Sequence, residues 1–196
     1  MKNNYWPIIC ALLILTGCAS SAPKTTVYTL ELDKFEETVV EESLPVSVLV
    51  ENCGVRDAYK TKAIVASPAP YELTKRANAE WAESAGTLLN SSIRSYLSPR
   101  CGKVLPPEWK SRIAYDYSVL VYLEAMTQVK RGQNWFAVLR LSYEVLPQKG
   151  GEAVASGRFD KALPLEGGSL DNYAAAQSAL VREWLDGLLK SLRARP

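Results

Sequence analysis

Residues 115–145 hold two long runs in which apolar and polar side chains alternate, joined by Lys-Arg-Gly-Gln-Asn. In the first run Tyr115, Tyr117, Val119, Val121, Leu123 and Ala125 share one side. In the second, Trp135, Ala137, Leu139, Leu141, Tyr143 and Val145 do. A period of two belongs to a strand with one buried face. The connection at 130–134 reads as a hairpin, with Gly132 free to take a positive φ. A second turn at 147–151 (PQKGG) leads to a third strand over 153–160. Any fold of this chain must therefore cover one face of an antiparallel meander.

What covers it is written on either side. A helix is expected over 77–97, where Trp81, Ala85, Leu88, Leu89, Ser92, Ile93, Tyr96 and Leu97 recur at helical spacing. Thr74 or Asn78 can cap its start, and Ser98-Pro99 stops it. Cys101-Gly102 then turns the chain. A second helix is expected over 170–192, capped by Ser169, with Tyr173, Ala176, Gln177, Leu180, Trp184, Leu185 and Leu188 inward. Lys190, Arg193 and Arg195 suit its C-terminal dipole end. Trp81 and Trp184 read as core aromatics rather than ligand groups. Three earlier strands are expected at 26–32, 44–51 and 62–66. The order βββ-α-βββ-α predicts an α+β two-layer domain: a mainly antiparallel sheet with two long amphipathic helices on one face.

The opposite face of the meander is not purely polar. Leu120, Tyr122 and Met126 lie there on one strand, with Phe136 and Val138 on its neighbour, among Ser118, Glu124, Arg140, Ser142 and Glu144. The apolar members gather toward the 130–134 turn. They form a candidate assembly contact, or a cluster over which a loop such as 33–43 folds.

The N-terminus poses a separate question. Lys2 precedes an apolar run of about ten residues, half of what a helix needs to cross a bilayer. The run ends in Leu15-Thr16-Gly17-Cys18, which resembles the lipobox of bacterial lipoproteins. That resemblance implies a signal peptide over 1–17, cleavage before Cys18, and acyl chains on its sulfur and new amine. Several chains hold a protein on a membrane where one would not. Ala19, rather than Asp, follows the cysteine, a pattern that resembles lipoproteins sent to the outer membrane. Residues 18–25 are then a lipidated cysteine and tether, and 26–196 a single domain on the periplasmic face. Residues 19–24 span at most ~20 Å, so the domain stays close to its membrane.

Composition narrows the chemistry. With 23 basic and 21 acidic residues the charge nearly cancels, which gives no electrostatic case for nucleic acid. There is no histidine, which removes Ser-His and Cys-His nucleophiles and most zinc sites. No Gly-rich phosphate loop and no paired carboxylates appear, and the acidic stretch 33–42 lacks the alternation of a calcium loop. No cofactor, no metal and no catalytic residue are expected; binding or assembly is the better class. Once Cys18 is lipidated, Cys53 and Cys101 remain as an even pair, either bridged or two separate buried thiols.

Several stretches together are similar to one family. They are YTLEL after the lipobox, ANAEWAESAGTLLNSSIRSYL, YDYSVLVYLEAM, and the run from SGRFDKALPLEGG to WLDGLLKSL. In this order they resemble the ABC-type transport auxiliary lipoprotein family over nearly the whole mature chain. Two departures stand out. Residues 58–62 replace a Leu-Asp-Arg-like element, and Ser84 stands where proline often follows Trp-Ala-Glu, which is expected to ease helix continuation. The resemblance implies a non-catalytic accessory of MCE-domain proteins that carry lipids between the inner and outer membranes. The partners would be the membrane, an MCE-domain protein and further copies of the chain. A structural envelope lipoprotein serving another complex is the alternative.

Overall fold

The computed structural model describes residues 24–32 and 43–194. The expected signal peptide, Cys18 and the acidic stretch 33–42 lie outside them. The described residues form one nine-stranded sheet and two helices. The strands are β1 (Thr26–Tyr28), β2 (Leu44–Val50), β3 (Gly54–Val55), β4 (Ala63–Ser67), β5 (Thr74–Trp81), β6 (Cys101–Leu105), β7 (Tyr117–Arg131), β8 (Asn134–Pro147) and β9 (Ala155–Leu165). The helices are α1 (Ala85–Leu97) and α2 (Leu170–Arg193).

The meander is present: β7, β8 and β9 pair antiparallel, turning at Gly132, which has φ +61°. The sheet as a whole is mixed, not mainly antiparallel. β8 occupies one full edge of β7. The other edge is shared by β2, β3 and β4, all parallel to β7, with Val48 opposite Tyr117, Gly54 opposite Tyr122 and Val65 opposite Thr127. In effect the chain from 44 to 67 is one interrupted strand laid along β7. β6 adds in parallel beside β2, β5 antiparallel beside β4, and β1 in parallel beside β5. Parallel pairing requires a crossover, and α1 supplies it by carrying the chain from the end of β5 back to the start of β2. The Leu44 amide donates to Arg100 O there, at 2.9 Å.

The first helix is shorter than its periodicity predicts. Residues 74–81 are strand, not helix, because their backbone is taken by neighbours: the Trp81 amide donates to Lys62 O at 2.7 Å. Asn78 has φ +55°, outside the helical region. Ser84 does not ease helix continuation. It caps α1, its hydroxyl accepting from the Thr87 amide at 3.4 Å. β6 also replaces the expected turn at Cys101-Gly102. α2 begins as expected, with Ser169 Oγ accepting from the Asn172 amide at 3.2 Å and Asp171 in the first turn.

Both helices pack on one face of the sheet and share one core. Leu89, Ile93 and Leu97 of α1 and Leu180, Leu185 and Leu188 of α2 are fully buried there. Each such side chain contributes about 1.5–3 kcal/mol. Trp81 packs against Tyr173 (centroids 5.7 Å apart) and Trp184 against Tyr143 (5.9 Å), so both tryptophans belong to the core. The Tyr96 hydroxyl donates to Asp186 and ties the helices together.

Candidate functional site

The helix-free face of the sheet is partly roofed by its own connections. β6 ends beside Leu49, on the far side of β2 from β7, so residues 106–116 must cross over β2 to reach Tyr117. Leu49 and Leu105 are buried although they lie outside the main core. The crossing is pinned at Asp116, whose Oδ2 accepts from the Ser47 amide and hydroxyl, each at 2.7 Å. Those bonds hold the Asp116 carboxyl below its ordinary pKa. Farther along, Tyr59 of a short turn folds over Val65 and Ala125.

Between the two roofs lies a cleft of about 740 Å³. Leu120 and Tyr122 of β7 form its floor, Ser142, Glu144 and Ser156 one wall, and Glu51, Asn52, Gly54 and Lys110 the other. Tyr122 is 46% exposed. The Glu51 backbone is fixed twice: its amide donates to Val119 O at 3.0 Å, and its carbonyl accepts from Asn90 Nδ2 at 2.6 Å. Its carboxylate meets Lys110 Nζ at 2.6 Å and raises the lysine pKa. The cleft therefore offers an apolar floor with a charged and hydroxylated rim, the make-up of an association surface. Among the described residues no group of three or more His, Cys, Asp or Glu side chains could hold a metal.

The five residues expected to form an assembly contact do not lie together. A bulge between Leu123 and Ala125 reverses the alternation, since Leu123 faces Leu141 but Ala125 faces Arg140. Met126 is thereby turned into the main core, at 1% exposure, and Ala125 is turned out of it. Val138 stays on the outer face but is buried, and Phe136 is half-buried with the Arg131 guanidinium 5.2 Å from its ring centroid. A charged strip separates these from Leu120 and Tyr122: Arg140 pairs with Asp160 at 2.8 Å and Arg158 with Glu124 at 2.7 Å. The apolar residues are thus split between two ends of the face. The rim residues Glu51 and Lys110 carried no sequence signal, because loops deliver them and only the parallel pairing on β7 brings those loops together.

Cys53 and Cys101 are free thiols, not a disulfide. A bridge fails on topology. β6 runs parallel to β2 with Cys101 opposite Leu44, whereas Cys53 follows the far end of β2. Six strand steps of about 3.3 Å separate those levels by ~20 Å, against the ~7 Å that a disulfide tolerates. Burial pushes both thiols up to about 11.

Residues 28–187 match the family model described as the ABC-type transport auxiliary lipoprotein component. None of the curated protein sequences matches. Among solved structures, protein XCC0632 from Xanthomonas campestris superposes with a TM-score of 0.72 at 20% identity, covering 87% of this chain and 98% of that one. CT253 from Chlamydia trachomatis gives 0.54 at 12% identity, covering 77% and 99%. The PelC dodecamer from Paraburkholderia phytofirmans gives 0.51 at 16% identity, covering 78% and 92%. At these identities the likeness is one of fold.

Proposed function

Because the chain belongs to the ABC-type transport auxiliary lipoprotein family, we propose that it is a lipid-anchored, non-catalytic docking component of an intermembrane lipid transport system. It is held at the outer membrane by acylated Cys18 and meets an MCE-domain transport protein through its helix-free sheet face. The observation that carries this reading is the cleft left between the two roofs, where Tyr122 stands half exposed over Leu120. An apolar floor left open on an otherwise well-packed domain is what a partner fills. Outer-membrane placement rests on Ala19 after the lipobox cysteine. The MCE partnership rests on the resemblance of the helix and strand motifs to the family. PelC, which shares the fold, assembles as a dodecamer, and this supports a ring of copies around the transport path.

The test is the full-length lipoprotein carrying Leu120→Glu with Tyr122→Glu. Circular dichroism is expected to stay native, since neither side chain belongs to the core. Light scattering and co-purification with the MCE-domain subunit are expected to show loss of self-association or of partner capture. Normal assembly by the double variant would place the contact elsewhere. Capture of a different envelope complex would favour a general structural lipoprotein.

A further inference from the structure

The turn between β4 and β5 carries the most exposed aromatic of the described residues. Tyr71 is fully exposed and Leu73 is 50% exposed. Pro68 and Pro70 stiffen the same turn. Tyr71 has φ +67°, a backbone conformation that L side chains rarely adopt. Nothing in the core requires a tyrosine held this way.

Strand register states which end of the domain this turn occupies. β1 is parallel to β5 with Thr26 opposite Ala79, so the chain enters β1 from the end where β5 begins. Tyr71 stands eight residues before Ala79, and Cys18 stands eight before Thr26. At ~3.5 Å per residue the anchor can lie no more than ~28 Å from Thr26. β4 is parallel to β7 with Ser67 opposite Val129, which brings the β7–β8 turn to the same end. β9 also finishes here, Leu165 opposite Trp135. The exposed charges of this end are Lys24, Lys75, Lys130 and Arg131, against Glu72, Glu166 and Asp171. Arg76 is half-buried, donating to Gln128 Oε1 and lying 4.7 Å from the Trp135 ring centroid.

We propose that this end of the domain seats directly on an anionic phospholipid surface, with Tyr71 and Leu73 entering the headgroup layer. The inference rests on acylation of Cys18, part of the function proposed above. The short chain between anchor and β1 supplies the occupant: the membrane that holds the acyl chains is the surface within its reach. Tyrosine prefers that layer, its ring in the apolar boundary and its hydroxyl in water. Lysines and arginines beside it are drawn to anionic headgroups within a Debye length. The domain is then oriented as well as tethered, with the β8–β9 turn pointing away from the lipid.

The test uses the full-length lipoprotein in vesicles of phosphatidylcholine and phosphatidylglycerol (3:1). Tyr71→Cys carries an environment-sensitive fluorophore, with Leu73→Cys as a second probe and Lys149→Cys, in the β8–β9 turn, as the distal control. The native thiols, Cys101 buried and Cys53 half-buried, both with raised pKa, are expected to stay unlabelled. Nitroxide lipids spin-labelled near the headgroup are expected to quench the probes at 71 and 73 several-fold more than the probe at 149. Lys75→Glu with Arg131→Glu, or neutral vesicles, are expected to reduce that difference. Vesicles that carry the protein on flotation without quenching at 71 or 73 would overturn the seating and leave the anchor standing. Failure to float, with an unacylated Cys18 by mass spectrometry, would overturn both. Stronger quenching at 149, or shielding of 71 only when the transport subunit is added, would overturn the orientation in favour of a protein contact.

Discussion

Gly54 and Tyr122 face each other across the β3–β7 pair so closely that a Cβ on Gly54 would stand 2.7 Å from Tyr122 Cδ2. Real Cβ atoms do not approach carbon this closely, so Gly54 leaves the room in which the Tyr122 ring lies over the cleft floor. Gly54→Ala is expected to swing the half-exposed ring outward, at a cost of about 1 kcal/mol or less because the ring has solvent to move into. Partner capture falls with it. In a Tyr122→Ala background the same substitution is expected to be neutral. A double-mutant cycle by urea denaturation and co-purification checks both statements.

Asp116 fastens the segment that roofs β2, and its carboxyl lies below the ordinary carboxylate pKa because it accepts two hydrogen bonds from Ser47. A folded pKa below the unfolded one contributes stability above the unfolded value of ~3.9. That contribution is lost as pH falls through the lower folded value. Asp116→Asn is therefore expected to lower the urea midpoint at neutral pH, and the gap from wild type is expected to close below about pH 4. Denaturation series between pH 7 and 2.5 measure it; a gap that stays constant would show that the carboxylate charge is not what holds the crossing.

The two thiols pack with the core, Cys101 inside it and Cys53 half-buried against it. With pKa values raised to about 11 by burial, almost none of either is thiolate at pH 8. Iodoacetamide is expected to leave Cys53 and Cys101 unmodified in the folded protein and to alkylate both after unfolding. A reducing agent is expected to leave Tm unchanged. A mapped Cys53–Cys101 peptide under non-reducing conditions would contradict the parallel β2–β6 pairing.

Much of the architecture could be read from the residues, and the failures have identifiable physical causes. The β7–β8–β9 meander was legible because its alternation is long and its turns are marked by glycine. Helix α2 was legible because a serine cap and a seven-residue stripe agree. The end of β5 mimics helix in the sequence because Trp81 lies four residues before Ala85 and fits the stripe of the helix that follows; its pairing with Lys62 and Tyr28 shows that its backbone is extended. Alternation alone puts Met126 on the wrong face, because a bulge has no reliable signature in a single sequence and one extra residue at Glu124 reverses every side chain beyond it. The cleft was half legible. Its floor follows from alternation, whereas its rim depends on pairings between residues 62–69 positions apart, which local patterns do not encode.

Those distant pairings also bear on the order in which the fold can form. β7, β8 and β9 need only short loops to find one another, so the meander can assemble early. The interrupted strand of β2, β3 and β4 has its edge partner in β7, roughly sixty to seventy residues later in the chain. Synthesis proceeds from the N-terminus, so these segments emerge first and wait, with strand edges unpaired, until β7 follows. Such edges invite wrong pairing. A chaperone that shields residues 44–67 before the meander arrives would meet a need built into this topology.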